Sequence, residues 1–479
     1  MAAFSHDGLW WDASDPGQKW TGTLLFDRRR GTSLKVVVPV ETPEFAPRTR
    51  MYDLIHGIAS SGKPFTLIDC YDVSTRGSLF GVPRPVGIRA NQLIAGLHCD
   101  TADPLLSSVS LSFLHINDWW SRSGVEIDST VKHPCFAARY QATEPVLLYD
   151  AEPFRVVIRP WPQTSVARHA ASLRERISIE ISSAEPMPFS AFQRLARACG
   201  DFLSICCLTH CDVEGFTLVP PKEEGVVRRT GTYHAVPFHK SREQRSSVLG
   251  HMLVNFGEIE GRAQELFGAW LSKIDQLQDA RTLYLSGVYG GGYIEHRLLA
   301  LTQAAEALHR RFFQDRYMEQ AAFDAEVLEP LVKAIPVEAV GPLRQGLRDR
   351  LKFANEHSLR KRLRTLFETH ESVLTALVDK PKELVSAIVD TRNEFTHFPI
   401  PEAELSPPYS RPRADRVLQF NWVLRLLLES CFLQAMGFEI AEIESFVRRS
   451  ETYRQMGVRF RTGALETQRA AEGTASPEN

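Results

Sequence analysis

The chain is short of most features that would place a protein in a functional class at once. No stretch approaches the ~18 uncharged apolar residues of a membrane helix. The longest apolar candidate, Val417 to Phe438, is interrupted by Arg425 and Glu429, so no membrane partner is expected. The opening Met-Ala-Ala-Phe-Ser-His-Asp-Gly lacks a basic start followed by an apolar run, which predicts no secretory signal and a soluble, cytoplasmic protein. Cysteine is sparse, 8 in 479 residues, and scattered, a pattern of reduced thiols rather than of a disulfide framework. An excess of positive charge is missing too: at a net charge of -2 the chain is not a globally basic nucleic-acid binder. Any contact with phosphates must come from Lys and Arg gathered locally on one face. No Gly-rich loop followed by Lys-Ser or Lys-Thr occurs, so ATP hydrolysis lacks its machinery. There is no internal repeat, and nothing calls for a cofactor or a metal.

What the chain does contain reads as folded domains. The hydrophobic fraction is 43% and the charged fraction 24%, ordinary for globular proteins, and the length exceeds one ordinary core, so two or three domains are expected. Residues 1–145 read as a β-rich domain. Thr23 to Phe26, Leu34 to Val40, Phe65 to Ile68, Leu105 to Ile116 and Pro145 to Tyr149 are apolar or β-branched runs separated by turn-forming clusters. The pairs Trp10-Trp11 and Trp119-Trp120 are expected to supply buried area. Residues 146–245 read as a second, α+β part, with strands at Phe154 to Ile158 and Ile177 to Ile181 and a helix from Phe189 to about Leu208. The polar connection from Pro220 to Gly250 looks like a hinge. Residues 246–290 read as a helical connector and 291–445 as a helical bundle. The strongest amphipathic helix there is Tyr293 to Phe313, with Ile294, Leu298, Leu301, Ala305 and Leu308 on one stripe. Residues 463–479 are small and polar and are expected to be disordered. The predicted fold class is therefore α+β and multidomain: a β-rich N-terminal region followed by a C-terminal all-α bundle.

One segment carries chemistry: Val389-Asp-Thr-Arg392-Asn393-Glu-Phe-Thr-His397-Phe-Pro399. The apolar spacing from Lys382 to Val389 is helical, and Pro399 turns Phe398 away from the α region, so the helix should end there. His397 then occupies the last turn, Asn393 lies one turn earlier on the same face, and Arg392 flanks it. A helix C-terminus favours imidazolium and would keep His397 partly protonated near ~6.5. These groups suit RNA cleavage. The 2′-hydroxyl can attack the adjacent phosphate if a base takes its proton and an acid protonates the leaving 5′-oxygen; histidine can serve as either. Charge growing on the phosphoryl oxygens meets the planar guanidinium of Arg392, and Asn393 can hold an oxygen or fix the histidine tautomer. The bland alternative is a capping pair on a solvated helix end.

Arg392-Asn-Glu-Phe-Thr-His397-Phe resembles the Arg-x4–6-His signature of HEPN domains, in its Arg-Asn-x-x-x-His form. The helix with Leu299-Ala-Leu-Thr-Gln-Ala-Ala-Glu306-Ala-Leu-His309-Arg310 is similar to the opening helix of the HEPN domain in the ApeA family. Gly8-Leu-Trp10-Trp11, Gly22-Thr-Leu-Leu-Phe26, Ile55-His56-Gly57 with Thr66-Leu-Ile68, and Leu93-Ile-Ala-Gly96 resemble successive landmarks of the ApeA N-terminal domain. The resemblance spans nearly the whole chain. It implies an anti-phage, abortive-infection protein whose HEPN bundle is a metal-independent endoribonuclease with RNA, tRNA among the candidates, as substrate and Arg392, Asn393 and His397 as its catalytic residues. It also implies a homodimer or higher homo-oligomer, in which two motifs face one another, and an N-terminal region that detects a phage component or restrains the nuclease. The rival reading is a non-catalytic HEPN scaffold or adaptor that binds RNA or nucleotide.

Other residues have two readings each. Arg344, Arg348, Arg350 and Lys352, then Arg360, Lys361, Arg362 and Arg364, concentrate positive charge. Lys352, Arg360, Lys361, Arg362 and Arg364 are taken as the RNA-backbone groove, against a merely solvated helix face. Glu306 and His309 either line the cleft or form a surface pair. Cys206-Cys207-Leu-Thr-His210-Cys211 carries zinc-ligand types, yet the spacing fits no common finger, and core cysteines are the reading preferred. His56 and His98 are read as structural.

Overall fold

The computed structural model describes residues 3–27, 29–38, 50–73, 84–128, 130, 137–222, 229–235, 249–397 and 411–473, with the backbone alone at 38, 84–85, 249, 397, 411–412 and 463–473. Two compact units divide the chain: Met1–Leu249 with Val254–Gly268, and Gly250–Leu253 with Ala269–Asn479.

In the first unit the alternating runs become antiparallel strands. β1 (Phe4–Asp12), β2 (Trp20–Asp27), β3 (Gly31–Val38), β4 (Met51–Ala59), β5 (Pro64–Asp72) and β6 (Arg84–Ala95) follow the order β6-β3-β2-β1-β4-β5, and β5 returns to pair with β6. The six strands thus close on themselves, which removes free edges. Every second side chain points inward, so Trp20, Leu24 and Phe26 of β2 meet Leu34 and Val36 of β3, Phe65 and Leu67 of β5 and Trp10 of β1 in one core. Trp10 pairs in register with Gly57. A Cβ at Gly57 would overlap the Trp10 ring, so this glycine makes room for the indole, whose Nε1 donates to the Gly22 carbonyl at 3.0 Å.

From the end of β6 the sheet continues. β7 (Leu105–Phe113) is followed by α1 (Ile116–Trp120), by the small hairpin β8 (Val125–Ile127) and β9 (Ala138–Tyr140), and by β10 (Val146–Ala151), β11 (Phe154–Ala167) and β12 (Ala170–Pro188). After α2 (Phe189–Cys207) come β13 (Val213–Val219) and β14 (Gly231–Ala235), and the order away from β6 is β14-β13-β7-β12-β11-β10. Helix α2 lies on β7 and β12. Trp119 and Trp120 of α1 are buried, Trp120 stacked at 4.3 Å on Phe256 of α3 (Phe256–Ile259). The sequence expectation of separate parts at 1–145 and 146–245 differs from this sheet, because β7 sits between β12 and β13. The connection expected as a hinge contains β14, hydrogen-bonded between β13 and β6, while 223–228 and 236–248 lie outside the described residues. Pairing across more than 100 residues leaves no mark on a local pattern.

The expected connector 246–290 is split between the units. It holds α3, then α4 (Ala263–Ser272), and α5 (Gln278–Tyr289) begins the helical unit. There α6 (Ile294–Phe312) is followed by α7 (Gln320–Phe323), a π-turn at Asp324–Leu328, α8 (Glu329–Lys333), α9 (Gly341–Lys352), α10 (Leu359–Thr369), α11 (Glu371–Leu374), α12 (Leu384–His397), α13 (Arg411–Met436), α14 (Ile440–Arg449) and α15 (Glu451–Gly473). The predicted stripe of α6 is buried at Leu298, Leu301, Ala305 and Leu308, and α6 packs against α5, α10, α12 and α13.

The two charges that interrupt the apolar run of α13 are inside the bundle. Glu429 is fully buried and accepts hydrogen bonds from Tyr284 Oη at 2.5 Å, from Arg425 Nε at 2.8 Å and from Tyr453 Oη. The Arg425 guanidinium also lies over the Trp422 ring at 5.0 Å. Among the described residues no helix is long and apolar enough to cross a membrane. Residues 463–473, expected as disordered tail, continue α15. Their Ala, Leu, Glu, Gln and Arg are good helix formers and extend a helix anchored by buried Tyr453 and Phe460. Residues 474–479 lie outside the described residues.

Candidate active site

Helix α12 is described as far as His397; the stop expected from Pro399 lies outside the described residues. Val385, Ile388 and Val389 form its buried stripe. Arg392 and Asn393 stand four residues beyond Ile388 and Val389, so they continue that stripe toward the helix end, and both are half-buried. The Arg392 Nη1 donates to Asn393 Oδ1 at 3.1 Å, which draws the guanidinium toward the Asn393 side. His397 follows Asn393 by one turn; its side chain, like Phe398 and Pro399, lies outside the described residues. On a helix Asn393 and His397 differ by about 40° and Arg392 and His397 by about 140°. One α12 therefore aligns Asn393 with the His397 position and leaves Arg392 dependent on its length to reach the same point.

Two ion pairs link the motif helix to its neighbours. Arg360 of α10 meets Asp390 at 2.7 Å, and Arg413 of α13 meets Glu394 at 3.2 Å while lying over Phe395 at 5.4 Å. Neither pair was legible beforehand. Asp390 and Glu394 sit within the motif segment, but their partners are 30 and 19 residues away.

The structure divides the basic residues. Lys361 and Arg364 are exposed on α10, and Lys352 is exposed with its Nζ 2.9 Å from Asp349. Arg348 and Arg350 are also exposed, while Arg344 is half-buried. Arg362 is different and corrects the expectation of a phosphate ligand: its side chain is 3% exposed. Its Nε donates to Asp315 Oδ1 at 2.6 Å and its Nη2 to Asp315 Oδ2 at 3.1 Å and Glu356 Oε2 at 3.3 Å. Nη1 donates to Glu306 Oε1. Arg310 joins the same carboxylates, 2.8 Å from Glu356 and 3.3 Å from Glu306. A helical reading of α10 contains the signal, since Arg362 precedes Leu366 by one turn and adjoins Leu363, both fully buried.

Glu306 and His309 of α6 belong to this cluster rather than to an exposed pair. His309 is buried and stacked on Phe313 at 5.1 Å. Burial pushes its pKa down to about 4, helped by the Arg362 charge and opposed by Asp315. At 3.8 Å from Asp315 its Nδ1 is beyond hydrogen-bond reach, so near neutrality it is an uncharged imidazole and not half of an ion pair. The cluster ties the end of α6, the following loop and the start of α10 into one piece beside α12.

The remaining candidates are core. Cys206 and Cys207 are fully buried in α2 and their thiols are pushed well up by burial. Among the described residues no group of His, Cys, Asp and Glu is placed to hold a metal ion. Cys70, Cys99, Cys199, Cys206, Cys207, Cys211 and Cys431 are free thiols. His56 and His98 stack at 4.8 Å and bond to the Cys99 and Gly57 carbonyls, each at 2.9 Å. They brace the first unit.

A β-rich domain followed by a helical domain with an Arg-Asn-x-x-x-His helix end defines the class of protein, and comparison with known families gives the same order. Residues 5–270 match the family ApeA N-terminal domain 1, and residues 299–442 match the family Apea-like HEPN. The chain belongs to the ApeA family, with a C-terminal HEPN domain. No curated protein and no solved structure matches it.

Proposed function

We propose that this chain is an anti-phage ribonuclease that acts in abortive infection, with the HEPN domain cutting RNA through Arg392, Asn393 and His397. The observation that supports this reading is that Arg392 and Asn393, the first two residues of the Arg-Asn-x-x-x-His string, are half-buried and continue the stripe of Val385, Ile388 and Val389. An Arg392 that merely capped a solvated helix end would have no reason to continue the buried face.

In the proposed reaction the 2′-hydroxyl attacks the neighbouring phosphorus as its proton passes to a base. The P–O5′ bond breaks with protonation of the leaving oxygen, which yields a 2′,3′-cyclic phosphate and a 5′-hydroxyl. His397 is the proposed proton-transfer group, because an imidazole can act as base or acid near neutrality, worth ~10²–10⁴-fold, and the step requires no metal. Arg392 neutralises the phosphoryl oxygens, and Asn393 orients the guanidinium through their hydrogen bond. The ~140° between Arg392 and His397 on one helix favours a composite site from two copies, with one histidine as base and the other as acid. Lys361 and Arg364, together with Arg360 and Lys352, are the proposed backbone contacts for RNA, tRNA among the candidates; Arg362 is not one of them. The N-terminal domain is assigned the sensing of a phage component or the restraint of the nuclease.

The test is cleavage of total bacterial RNA by the full chain and by His397→Ala, in EDTA, with analysis of the ends, repeated with phage-infected lysate. Discrete cuts with cyclic-phosphate ends, absent in the variant, are the expected result. Cuts that persist in His397→Ala, or no cuts even with the infected lysate, overturn it in favour of the non-catalytic scaffold or adaptor.

A further inference from the structure

The β11–β12 hairpin is longer than the sheet that carries it. β10 accompanies β11 only to Ile158, and β7 accompanies β12 only from Ile179 onward. From Pro160↔Ile177 to Ala167↔Ala170 the two strands pair with each other alone, a ribbon of roughly 25 Å at strand rise. Residues 161–171 are all exposed, so burial does not explain why this extension is there.

Its two faces differ in chemistry. Cross-strand partners share a face, and the face alternates along each strand. One face bears Arg159, Trp161, Gln163 and Ser165 from β11 with Arg176, Arg174 and Ser172 from β12. Arg176 Nε donates to Gln163 Oε1 at 2.9 Å, and the Ser165 and Ser172 hydroxyls are 2.8 Å apart. Gln163, Ser165, Ser172, Arg174 and Arg176 line a cleft of about 230 Å³. Trp161, opposite Arg176, is 44% exposed. The only carboxylate of the extension, Glu175, is on the other face, where it accepts from Tyr140 Oη and from the Gly124 N–H, each at 3.1 Å. Among the described residues no carboxylate pairs with Arg168, Arg174 or Arg176; Arg159, at the base, pairs with Glu180 at 2.9 Å.

We infer that this face of the β11–β12 ribbon binds single-stranded RNA. Unpaired guanidiniums meet the phosphates, and the exposed indole offers a stacking platform for a base, the combination that binds single strands with little sequence preference. A protein added as a further strand along β11 is the poorer fit, because Pro160 and Pro162 leave it two N–H donors short, and the guanidiniums and the indole lie on the face of the ribbon rather than along the β12 edge. The choice of RNA over DNA rests on the proposed function; the binding surface itself rests on the ribbon.

The test is fluorescence anisotropy of the full chain with a fluorescein-labelled, unstructured 2′-O-methyl RNA 15-mer between about 50 and 200 mM salt. This probe cannot be cut by 2′-hydroxyl attack, so binding is read separately from nuclease activity. Lys361→Ala/Arg364→Ala forms the background, which removes the proposed HEPN contacts. In that background Arg174→Ala/Arg176→Ala should weaken binding at least about tenfold and lower the slope of log Kd against log salt by roughly 1.4, at ~0.7 per phosphate contact. Trp161→Ala should weaken binding about tenfold with the slope unchanged. Arg174→Lys/Arg176→Lys should restore the slope, and thermal midpoints should stay together because every altered residue is at least partly exposed. Affinity unchanged by all ribbon substitutions, or no binding at low salt, overturns the inference. So does the same loss for Arg→Ala and Arg→Lys with an unchanged salt slope. Ribbon substitutions that abolish activation by infected lysate while RNA affinity stays constant overturn it in favour of a protein partner.

Discussion

Replacing Arg362 by alanine removes a guanidinium that reaches Asp315, Glu306 and Glu356 at once. Three carboxylates then share Arg310 alone within the cluster. Breaking a buried ion pair by deleting one partner costs about 3–5 kcal/mol. The lower end applies here, because Asp315, Glu306 and Glu356 retain 20, 25 and 28% side-chain exposure and water relieves part of the repulsion. For a unit of this size about 3 kcal/mol corresponds to a fall of ~6–12 °C in the melting temperature. Arg364→Ala, two positions along on the exposed side of α10, should change stability by less than about 0.5 kcal/mol while weakening RNA binding. Thermal unfolding followed by circular dichroism, beside RNA-binding titrations of both variants, separates the two roles. An Arg362→Ala protein that melts with the wild type but loses RNA binding would refute this assignment and return Arg362 to the proposed groove.

Three further outcomes are expected. His370 is fully buried with its Nε2 3.3 Å from Cys431 Sγ, and burial lowers its pKa from 6.5 to about 4. The unfolded chain therefore takes up the proton first, so the contribution is complete above pH 6.5 and lost as the pH falls toward 4. The melting temperature should drop between pH 7 and pH 5, and drop less in His370→Gln; equal drops would contradict this. Glu429→Ala leaves the half-buried Arg425 without its carboxylate and should cost about 3 kcal/mol, measured by urea unfolding, whereas an unchanged midpoint would mean that the Arg425 charge finds water. Gly57→Ala should destabilise the first unit by about 1–3 kcal/mol through overpacking against Trp10. In a double-mutant cycle with Trp10→Leu the two costs should be less than additive, and simple additivity would dissociate the glycine from the indole.

Much of the local structure was legible because it depends on near neighbours. The apolar stripe of α6, the helix through Arg392 and Asn393 and the strands of the first unit follow from spacing, turn chemistry and β-branched runs. What failed was wherever a residue's role depends on a distant partner. The tail from Gly463 looked too polar to fold by itself, but residues 463–473 extend a helix anchored elsewhere. The basic run around α10 looked uniform because charge is counted along the chain, whereas burial is set by the helix face.

By itself the sequence determined which segments are strands and helices, that a motif suited to RNA chemistry stands at a helix end, and that no long apolar run is free of charge. Only the tertiary structure decided that β14 lies between β6 and β13, that Glu429 is buried with Tyr284 and Tyr453 as partners, and that Arg362 braces α10 while Arg364 faces solvent. Spacing along a chain reports periodicity and capping, which are interactions within a few residues. Asp315 lies 47 residues from Arg362 and Tyr284 lies 145 from Glu429, and contacts of that range exist only once the elements have packed.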